Sequence, residues 1–332
     1  MRTAFDLSES ANRQVVTAAG MAPSLFNTQP WRFRLCPDRI EVHADLGRRL
    51  IAHDPEDREL RIACGAALFN LRLALHAHGV TPVVTIEPDD LPDALAVIRR
   101  GPATVQSRDD AALHQAITRR RTNRQPFLDA PTPASDRRLL IRAAAEEHAV
   151  LHVMSDHAGR SELRAIVAAA DQRQRDTAVC QAELDAWTGF GNTRPDGVPL
   201  AAAGPKPEPE APWASRDLGH GLSPVRVLSR PVRTRPMVVV LATISDRPAD
   251  QVQAGQALQR VLLNATALGL TASFLSQPIE VTEQHRQLAT LLANRLHPQA
   301  ILRLGFSPPV TAATPRRDAA DLLLAQTPAG RP

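Results

Sequence analysis

The chain of 332 residues is poor in several residue types, and each shortage removes a class of function. It contains no tyrosine, and it has neither the aromatic-rich strand of RNA-binding modules nor the spacing of a zinc finger. Lys206 is the only lysine among 39 basic residues, so there is no P-loop lysine motif. The net charge of +4 arises from interspersed charges of both signs, and we expect no nucleic-acid partner.

The chain also has few cysteines and no long apolar run. Cys36, Cys64 and Cys180 form no pair with the spacing of a metal site, and an odd number of cysteines fits a reducing compartment. No uninterrupted apolar run approaches the roughly 20 residues of a membrane-spanning helix, and residues 1–20 lack the apolar region of a signal peptide. We therefore expect a cytoplasmic protein with no membrane partner.

What the chain does contain is a composition typical of a folded protein, with 43% hydrophobic and 22% charged residues. Arginine supplies nearly all of the positive charge. We attribute this excess mainly to the codon usage of a GC-rich genome, so arginine abundance alone does not indicate a ligand. No metal site is predicted, because His76 and His78 are two positions apart and would face different directions on a helix.

A sequence pattern occurs twice along the chain. Gly65-Ala-Ala-Leu begins an apolar stretch that ends at Gly79, and Gly255-Gln-Ala-Leu, 190 positions later, begins one that ends at Gly269. Both stretches predict amphipathic helices that end at a glycine. Residues 96–101 match residues 300–305, and residues 13–19 resemble residues 138–144. Three matches in the same order indicate an internal duplication.

The duplication predicts two halves, residues 1–105 and residues 106–325. Alternating residues predict a hairpin over residues 32–43, and the apolar run at 237–244 predicts a buried strand. We expect residues 161–187 to be mostly helical. Residues 189–236 are rich in glycine and proline, which disfavours a regular helix or a central strand. This segment is predicted to be an insertion in the second half, either flexible or a lid over a site.

The two copies have kept different segments. Only the first half carries Ala-Pro-Ser-Leu-Phe-Asn-Thr-Gln-Pro-Trp, at residues 22–31. Only the second half is preceded by Thr-Arg-Arg-Arg-Thr-Asn-Arg-Gln-Pro-Phe, at residues 118–127, and followed by Thr-Pro-Arg-Arg-Asp, at residues 314–318. Copies that lose different parts suggest a fused dimer with one shared site.

These segments resemble the motifs of flavin-dependent nitroreductase-fold proteins. Residues 120–124, Arg-Arg-Thr-Asn-Arg, are similar to the family's Arg-Arg-Ser-x-Arg motif, with Thr122 in place of the serine. Residues 23–31 are similar to its Pro-Ser-x-x-Asn-x-Gln-Pro-Trp motif. The order of motifs in one chain, with Asp57-Arg-Glu-Leu before Cys64-Gly and Asp196-Gly-Val-Pro before the proline-rich stretch, most resembles the Acg-type subgroup.

The resemblance implies an α+β, nitroreductase-like fold, duplicated within one chain as a fused dimer. Members of the fold are two-fold dimers with flavin mononucleotide (FMN) sites at the interface, each built from both subunits. Here the second half keeps the arginine motifs, at residues 120–124 and 316–317, and the first half keeps the turn with Asn27 and Gln29. The resemblance therefore implies one surviving FMN site per chain within a pseudo-dimer, and it leaves further oligomerisation open.

The same resemblance supplies the candidate cofactor-binding residues. A guanidinium group can bind two phosphate oxygens at once, which a lysine cannot do. The polar side chains of the turn at residues 24–29 can face the flavin. The alternatives are a solvated basic helix end for the arginines, with Arg119 the most exposed, and a turn closed by its own hydrogen bonds. The candidates are Ser24, Leu25, Asn27, Gln29, Arg120, Arg121, Thr122, Arg124, Ser276, Gln277, Arg316 and Arg317.

Two functions from different classes follow from the resemblance, and a third remains open. The first is an FMN-dependent reductase that uses NAD(P)H and passes electrons to a small-molecule acceptor such as a nitro compound or quinone. The flavin would carry the chemistry, so no catalytic side chain is predicted. The second is a flavin-storage protein whose lid covers FMN and prevents turnover. The third is an interaction protein that binds no flavin.

Overall fold

The computed structural model describes residues 3–191, 193–208, 213, 215–224, 236–308 and 312–325. Its helices and sheets confirm the expected α+β class. The first half begins with α1 (Glu9–Gly20), the hairpin strands β1 (Trp31–Leu35) and β2 (Arg39–Ala44), and α2 (Arg58–Ala77). It ends with β3 (Pro82–Ile86) and β4 (Ala96–Arg100), and α3 (Arg108–Ala116) leads into the second half.

The second half repeats this arrangement with insertions. Its elements are α4 (Ala134–Ala145), β5 (Val150–Val153), α5 (His157–Arg175), α6 (Ala178–Trp187), the short strands β6 (Thr188–Phe190) and β7 (Val198–Pro199), and β8 (Met237–Thr243). They are followed by α7 (Pro248–Ala267), β9 (Thr271–Phe274), α8 (Gln277–Glu280), α9 (Thr282–Leu291) and β10 (His297–Gly305). Short 3₁₀ turns lie at Leu25–Asn27, Leu46–Arg48, Leu200–Ala202 and Ala319–Leu322.

Two four-stranded antiparallel sheets have the same strand order. The first runs β1-β2-β4-β3 and the second runs β5-β8-β10-β9. In each half a helix precedes the first strand, and a 20-residue helix, α2 or α7, connects the second strand to the third. This shared order is what an internal duplication predicts. The two sheets lie on either side of the predicted boundary at residue 105.

Helices α2 and α7 cross where the repeated glycines meet. A Cβ atom on Gly65 would overlap the carbonyl oxygen of Val252, and one on Gly255 would overlap the carbonyl oxygen of Ile62. The Gly255 Cβ would also lie 2.8 Å from the Gly65 Cα. Ile62 and Val252 are themselves 190 positions apart, so the contact is reciprocal. The two glycines let the helix backbones approach more closely than any side chain would permit.

The amino-terminal end of α2 is held by a buried carboxylate. Asp54 accepts hydrogen bonds from the backbone N–H groups of Glu59, at 3.1 Å, and Leu60, at 2.8 Å. These bonds satisfy two of the donors that the first turn of a helix leaves free. By length and composition α2 could cross a membrane, but 78% of its most apolar window is buried inside the protein. A single buried helix of this kind is typical of a protein core and is weak evidence for a membrane span.

Two expectations concern the second half. Residues 161–187 are mostly helical, as expected, and they form two helices, α5 and α6, because the chain becomes extended at Thr177 (φ −105°, ψ 107°). In the predicted insertion, residues 189–236, the described part holds only the end of the three-residue strand β6, the two-residue strand β7 and one 3₁₀ turn. Residues 192, 209–212, 214 and 225–235 of that insertion lie outside the described residues.

Candidate functional site

A cavity lies between the two halves, and both contribute to its walls. Its volume is about 200 Å³, measured as the space open to the centres of water-sized spheres. One water molecule needs about 10–15 Å³ on that measure, so the cavity has room for a large organic ligand. The first half contributes residues 23–27 and the first turns of α2. The second half contributes residues 120–124, parts of β9 and β10, described residues of the insertion, and Thr314 and Arg316.

Ten of the twelve candidate residues line this cavity. They come from four separate stretches of the sequence, which the fold brings together: Ser24, Leu25, Asn27, Arg120, Arg121, Thr122, Arg124, Ser276, Gln277 and Arg316. The turn from the first half and the arginine run of the second half thus form walls of one cavity. Arg119, the arginine expected to be exposed, is exposed and does not line the cavity.

Gln29 and Arg317 lie behind the turn instead of in the cavity lining. The Gln29 amide donates to the backbone oxygen of Pro195 at 2.9 Å, and its Oε1 accepts from the backbone N–H of Arg317 at 2.9 Å. The Arg317 guanidinium contacts the Asp45 carboxylate at 3.3 Å. Since both side chains are engaged with protein groups, they support the turn from behind.

Arg120 is the most unusual group in the cavity. Its side chain is only 4% exposed, and its Nε and Nη1 atoms have no hydrogen-bond partner in the described part of the protein. The pKa of Arg120 is lowered to about 9. Burial is the largest cause of this decrease, and the neighbouring cations Arg316, Arg121 and Arg124 contribute the rest. A buried guanidinium without a carboxylate is costly for the protein. The arrangement therefore favours an anion beside Arg120.

Three further guanidinium groups experience the same environment. Burial lowers the pKa values of Arg124, Arg303 and Arg316 to about 10. Their described partners are neutral: Arg124 donates to the Ala202 oxygen at 2.9 Å, and Arg303 donates to Ser273 Oγ at 2.9 Å. Arg316 donates to Asn27 Oδ1 at 2.8 Å. The cavity thus concentrates positive charge that these hydrogen bonds do not neutralise.

Asn27 connects three parts of the chain. Its Oδ1 accepts from Arg316, while its Nδ2 donates to the backbone oxygens of Gly197 and Pro315, each at 3.0 Å. The backbone N–H of Gly197 donates to the backbone oxygen of Asn27 at 3.2 Å. The side chain therefore fixes the turn of the first half to the insertion and to the carboxy-terminal segment, and it orients Arg316.

The turn that carries Asn27 is strained. Phe26, Asn27 and Gln29 have positive φ values of 49°, 58° and 52°. Non-glycine residues in this region cost about 1–3 kcal/mol each and persist where the surroundings fix them. Ser24 Oγ accepts from the Gln29 N–H at 2.9 Å, so local hydrogen bonds do close the turn. The strained backbone directs residues 24–27 toward the cavity.

Three charged residues of the cavity lining were not among the candidates: Glu59, Arg216 and Arg303. Arg303 had a detectable signal, because it interrupts the apolar strand β10. Arg216, in the insertion, is paired with Glu280 and donates to Gln174 Oε1 at 2.7 Å and to Ser276 Oγ at 3.2 Å. Its guanidinium also lies 5.0 Å from the centre of the Phe26 ring. These contacts attach the insertion to both halves.

Comparison with known proteins supplies the family. The Nitroreductase family profile matches residues 117–306, more than half of the chain. The Mycobacterium tuberculosis (strain H37Rv) protein named "Putative NAD(P)H nitroreductase Rv3131" is 35% identical over 327 residues, which cover 96% of this chain and 92% of that protein. This chain belongs to the nitroreductase family.

Another relative agrees with this membership, and one solved structure shares the fold. The "Putative NAD(P)H nitroreductase acg" of the same strain is 31% identical over 311 residues, which cover 92% of each chain. The crystal structure of a putative nitroreductase from Anabaena variabilis covers 91% of this chain and 90% of its own, with a TM-score of 0.51 and 11% identity. Most of the first half of this chain lies outside the family match, but the mycobacterial relatives extend over both halves.

Proposed function

We propose that this nitroreductase-family chain binds one FMN in the cavity between its halves and reduces nitro or quinone compounds at the expense of NAD(P)H. The observation that carries the proposal is the Arg120 guanidinium, which is buried in the cavity wall with two donors unused in the described structure. The family membership and the NAD(P)H nitroreductase names of the mycobacterial relatives support the reaction class.

The donors in the cavity fit a phosphate. Four of the guanidiniums, from Arg120, Arg124, Arg303 and Arg316, are at least partly desolvated, and an anion would offset the cost of burying them. A phosphate group carries close to two negative charges at neutral pH and accepts several hydrogen bonds. We assign the phosphate of FMN to this arginine cluster, with the Thr122 hydroxyl as a neutral donor.

The remaining cavity walls fit an aromatic ring system. Leu25, Ile62, Ala63 and Leu258 present apolar side chains from both halves, and Phe274 adds an aromatic ring. Ligand pockets typically combine such walls with a few directed polar groups. When bound, FMN would supply the hydride-transfer chemistry. The residues of the chain would hold the ligand, exclude water and stabilise negative charge on the ring.

Asn27→Ala should weaken FMN binding about ten- to hundredfold, although the Asn27 side chain bonds only to protein groups. The variant removes the acceptor that orients Arg316 and two bonds that hold the turn. A charged hydrogen bond contributes about 1.5–3 kcal/mol, which corresponds to this range. Flavin fluorescence titration measures the change. Asn264→Ala is the control, because Asn264 bonds to Arg260 of its own helix, and an equal loss in both variants would contradict the role of Asn27.

The second candidate is flavin storage without turnover, and the insertion favours it. Arg216 attaches the insertion to Glu280, Gln174 and Ser276, while Gly197 is bonded to Asn27. Val198, Ala203, Pro205 and Leu218 of the insertion line the cavity. A wall fixed in this way would restrict the access of a nicotinamide ring to the flavin.

Anaerobic mixing with NADPH and with NADH distinguishes the two candidates. We expect the purified protein to be yellow and its flavin absorption to bleach promptly after mixing. The absorption should recover when a quinone is added. Persistent yellow colour with both reductants would contradict the reductase and support storage. Arg216→Ala is informative here, because bleaching only in this variant would show that the insertion blocks access. Colourless protein that takes up no added FMN would contradict both.

A further inference from the structure

We propose that Glu59 is a ligand-binding residue of this cavity, held as a neutral carboxylic acid that donates a hydrogen bond to an acceptor atom of the flavin ring system. The inference rests on the proposed function, since it takes FMN as the ligand. It assigns a role to a side chain that was not among the candidate cofactor-binding residues, although it lies in the motif at residues 57–60, and that the arginine cluster does not require.

The fold places Glu59 in the lining of the cavity. It lies in the first turn of α2, and its backbone N–H is held by Asp54 at 3.1 Å. It is the only acidic residue among the described residues that line the cavity. Across the described chain, its carboxyl group forms neither a hydrogen bond nor an ion pair with another side chain. The group is therefore available to a ligand.

The cations near Glu59 are already paired with other carboxylates. Arg216, from the insertion, is paired with Glu280 of α8, and Arg58, from the same helix, is paired with Asp246 at 2.7 Å. The second oxygen of Glu280 is buried and has no described partner. Ionised Glu59 would consequently face the negative charges of Glu280 and Asp54 with no cation of its own.

These surroundings favour the protonated form of Glu59. Burial raises its pKa well above the ordinary value, and the negative charges of Glu280 and Asp54 raise it further, while Arg216 and Arg58 act in the opposite direction. Burial also raises the pKa of Asp54 to about 6. A carboxylic acid is a hydrogen-bond donor, whereas a carboxylate can only accept. The donor is present below the pKa of Glu59 and is lost as the pH rises through it.

A neutral Glu59 suits the charge of the proposed ligand. The phosphate of FMN carries close to two negative charges, and reduction adds negative charge to the flavin ring. A carboxylate in the same cavity would repel that charge, whereas the acid can donate to a ring carbonyl or nitrogen. The arginine cluster and Glu59 would thus act on different parts of one ligand.

The test compares the pH dependence of FMN affinity in the wild type and in Glu59→Gln, measured by flavin fluorescence. Above the pKa of Glu59, we expect the wild-type Kd to rise up to about tenfold per pH unit, because binding is linked to one proton. Glu59→Gln keeps a donor that does not titrate, so this rise should disappear. The ionisation of the FMN phosphate affects both proteins equally and cancels in the ratio of their Kd values.

Two further variants complete the comparison. Glu56→Gln makes the same chemical change at a side chain that is 69% exposed, and it should follow the wild-type curve. Glu59→Met keeps the volume of the side chain but removes the donor. It should therefore bind FMN more weakly, and its Kd should lack the rise with pH that the titration of Glu59 causes in the wild type. Circular dichroism at each pH verifies that the variants are folded, and Glu59→Met replaces Glu59→Gln if the latter does not fold.

The outcomes separate this inference from the proposed function. Parallel pH curves for the wild type and Glu59→Gln, with FMN bound in both, would overturn the role of Glu59 and leave the FMN site intact. Failure of every protein to bind FMN at any pH would overturn the proposed function together with the hydrogen bond. An infrared carboxylic-acid band present in the flavin-free wild type and absent from Glu59→Gln would support the neutral acid independently of flavin.

Discussion

Arg120→Met is expected to reduce FMN affinity by at least about a hundredfold while making the flavin-free protein more stable. The guanidinium is 4% exposed and lacks partners for Nε and Nη1 in the described structure, so it destabilises the fold when no anion is bound. Methionine fills a similar volume without a charge. Replacing a buried charge by apolar atoms can stabilise by about 1–4 kcal/mol, and losing charged hydrogen bonds to phosphate accounts for the lower affinity.

Two measurements on one variant test this expectation. Flavin fluorescence titration gives the FMN affinity, and urea denaturation of the flavin-free protein gives the free energy of unfolding. Arg119→Met is the matched control, because Arg119 is the exposed neighbour of Arg120 and should change neither quantity. An Arg120→Met protein that binds FMN as tightly as the wild type would remove the observation on which the proposed function depends.

Gly65→Ala and Gly255→Ala should each destabilise the whole chain by about 3 kcal/mol or more. The new Cβ would overlap a backbone carbonyl of the facing helix, which cannot move away as the end of a side chain can. Overpacking costs typically 1–3 kcal/mol and more when the backbone must shift, which exceeds the gain of about 1 kcal/mol in helix propensity. Thermal or urea denaturation of the two variants measures the loss.

The reciprocal contact between Gly65 and Gly255 leads to a second, more specific expectation. Because both glycines lie at one crossing, the double variant should lose less than the sum of the two single losses. Gly191→Ala is the control, since a Cβ at Gly191 would meet nothing within 4 Å. Losses below about 0.5 kcal/mol at both helix positions would show that the halves do not pack as closely as described.

The parts of the site that sequence could predict are those with local motifs. Residues 120–124 and the turn at 24–27 were recognisable because several functional groups are close together in the chain. Arg216 and Arg303 were not, because each enters the cavity through tertiary packing of a different element. Glu59 lies in the motif at residues 57–60, but its place in the cavity also depends on tertiary packing. Gln29 belongs to the same motif as Asn27, yet it lies behind the turn, where it bonds to Pro195 and the Arg317 backbone.

The fold shows the same division between local and tertiary information. The repeated glycines predicted two similar helices, but only the structure shows that Gly65 and Gly255 face each other. The hairpin and the apolar strand at 237–243 followed from residue alternation and composition. The separation of α5 from α6 could not be predicted, since neither Asp176 nor Thr177 is a strong helix breaker, and packing decides the break there.

The stoichiometry of FMN binding tests the central claim most directly. Flavin-free protein titrated with FMN should saturate at one FMN per chain, because one cavity combines the arginine cluster of the second half with the turn of the first. Saturation at two FMN per chain would mean that both halves keep a complete site. Absence of saturable binding would mean that the buried arginines serve another anion, and either result would contradict the account.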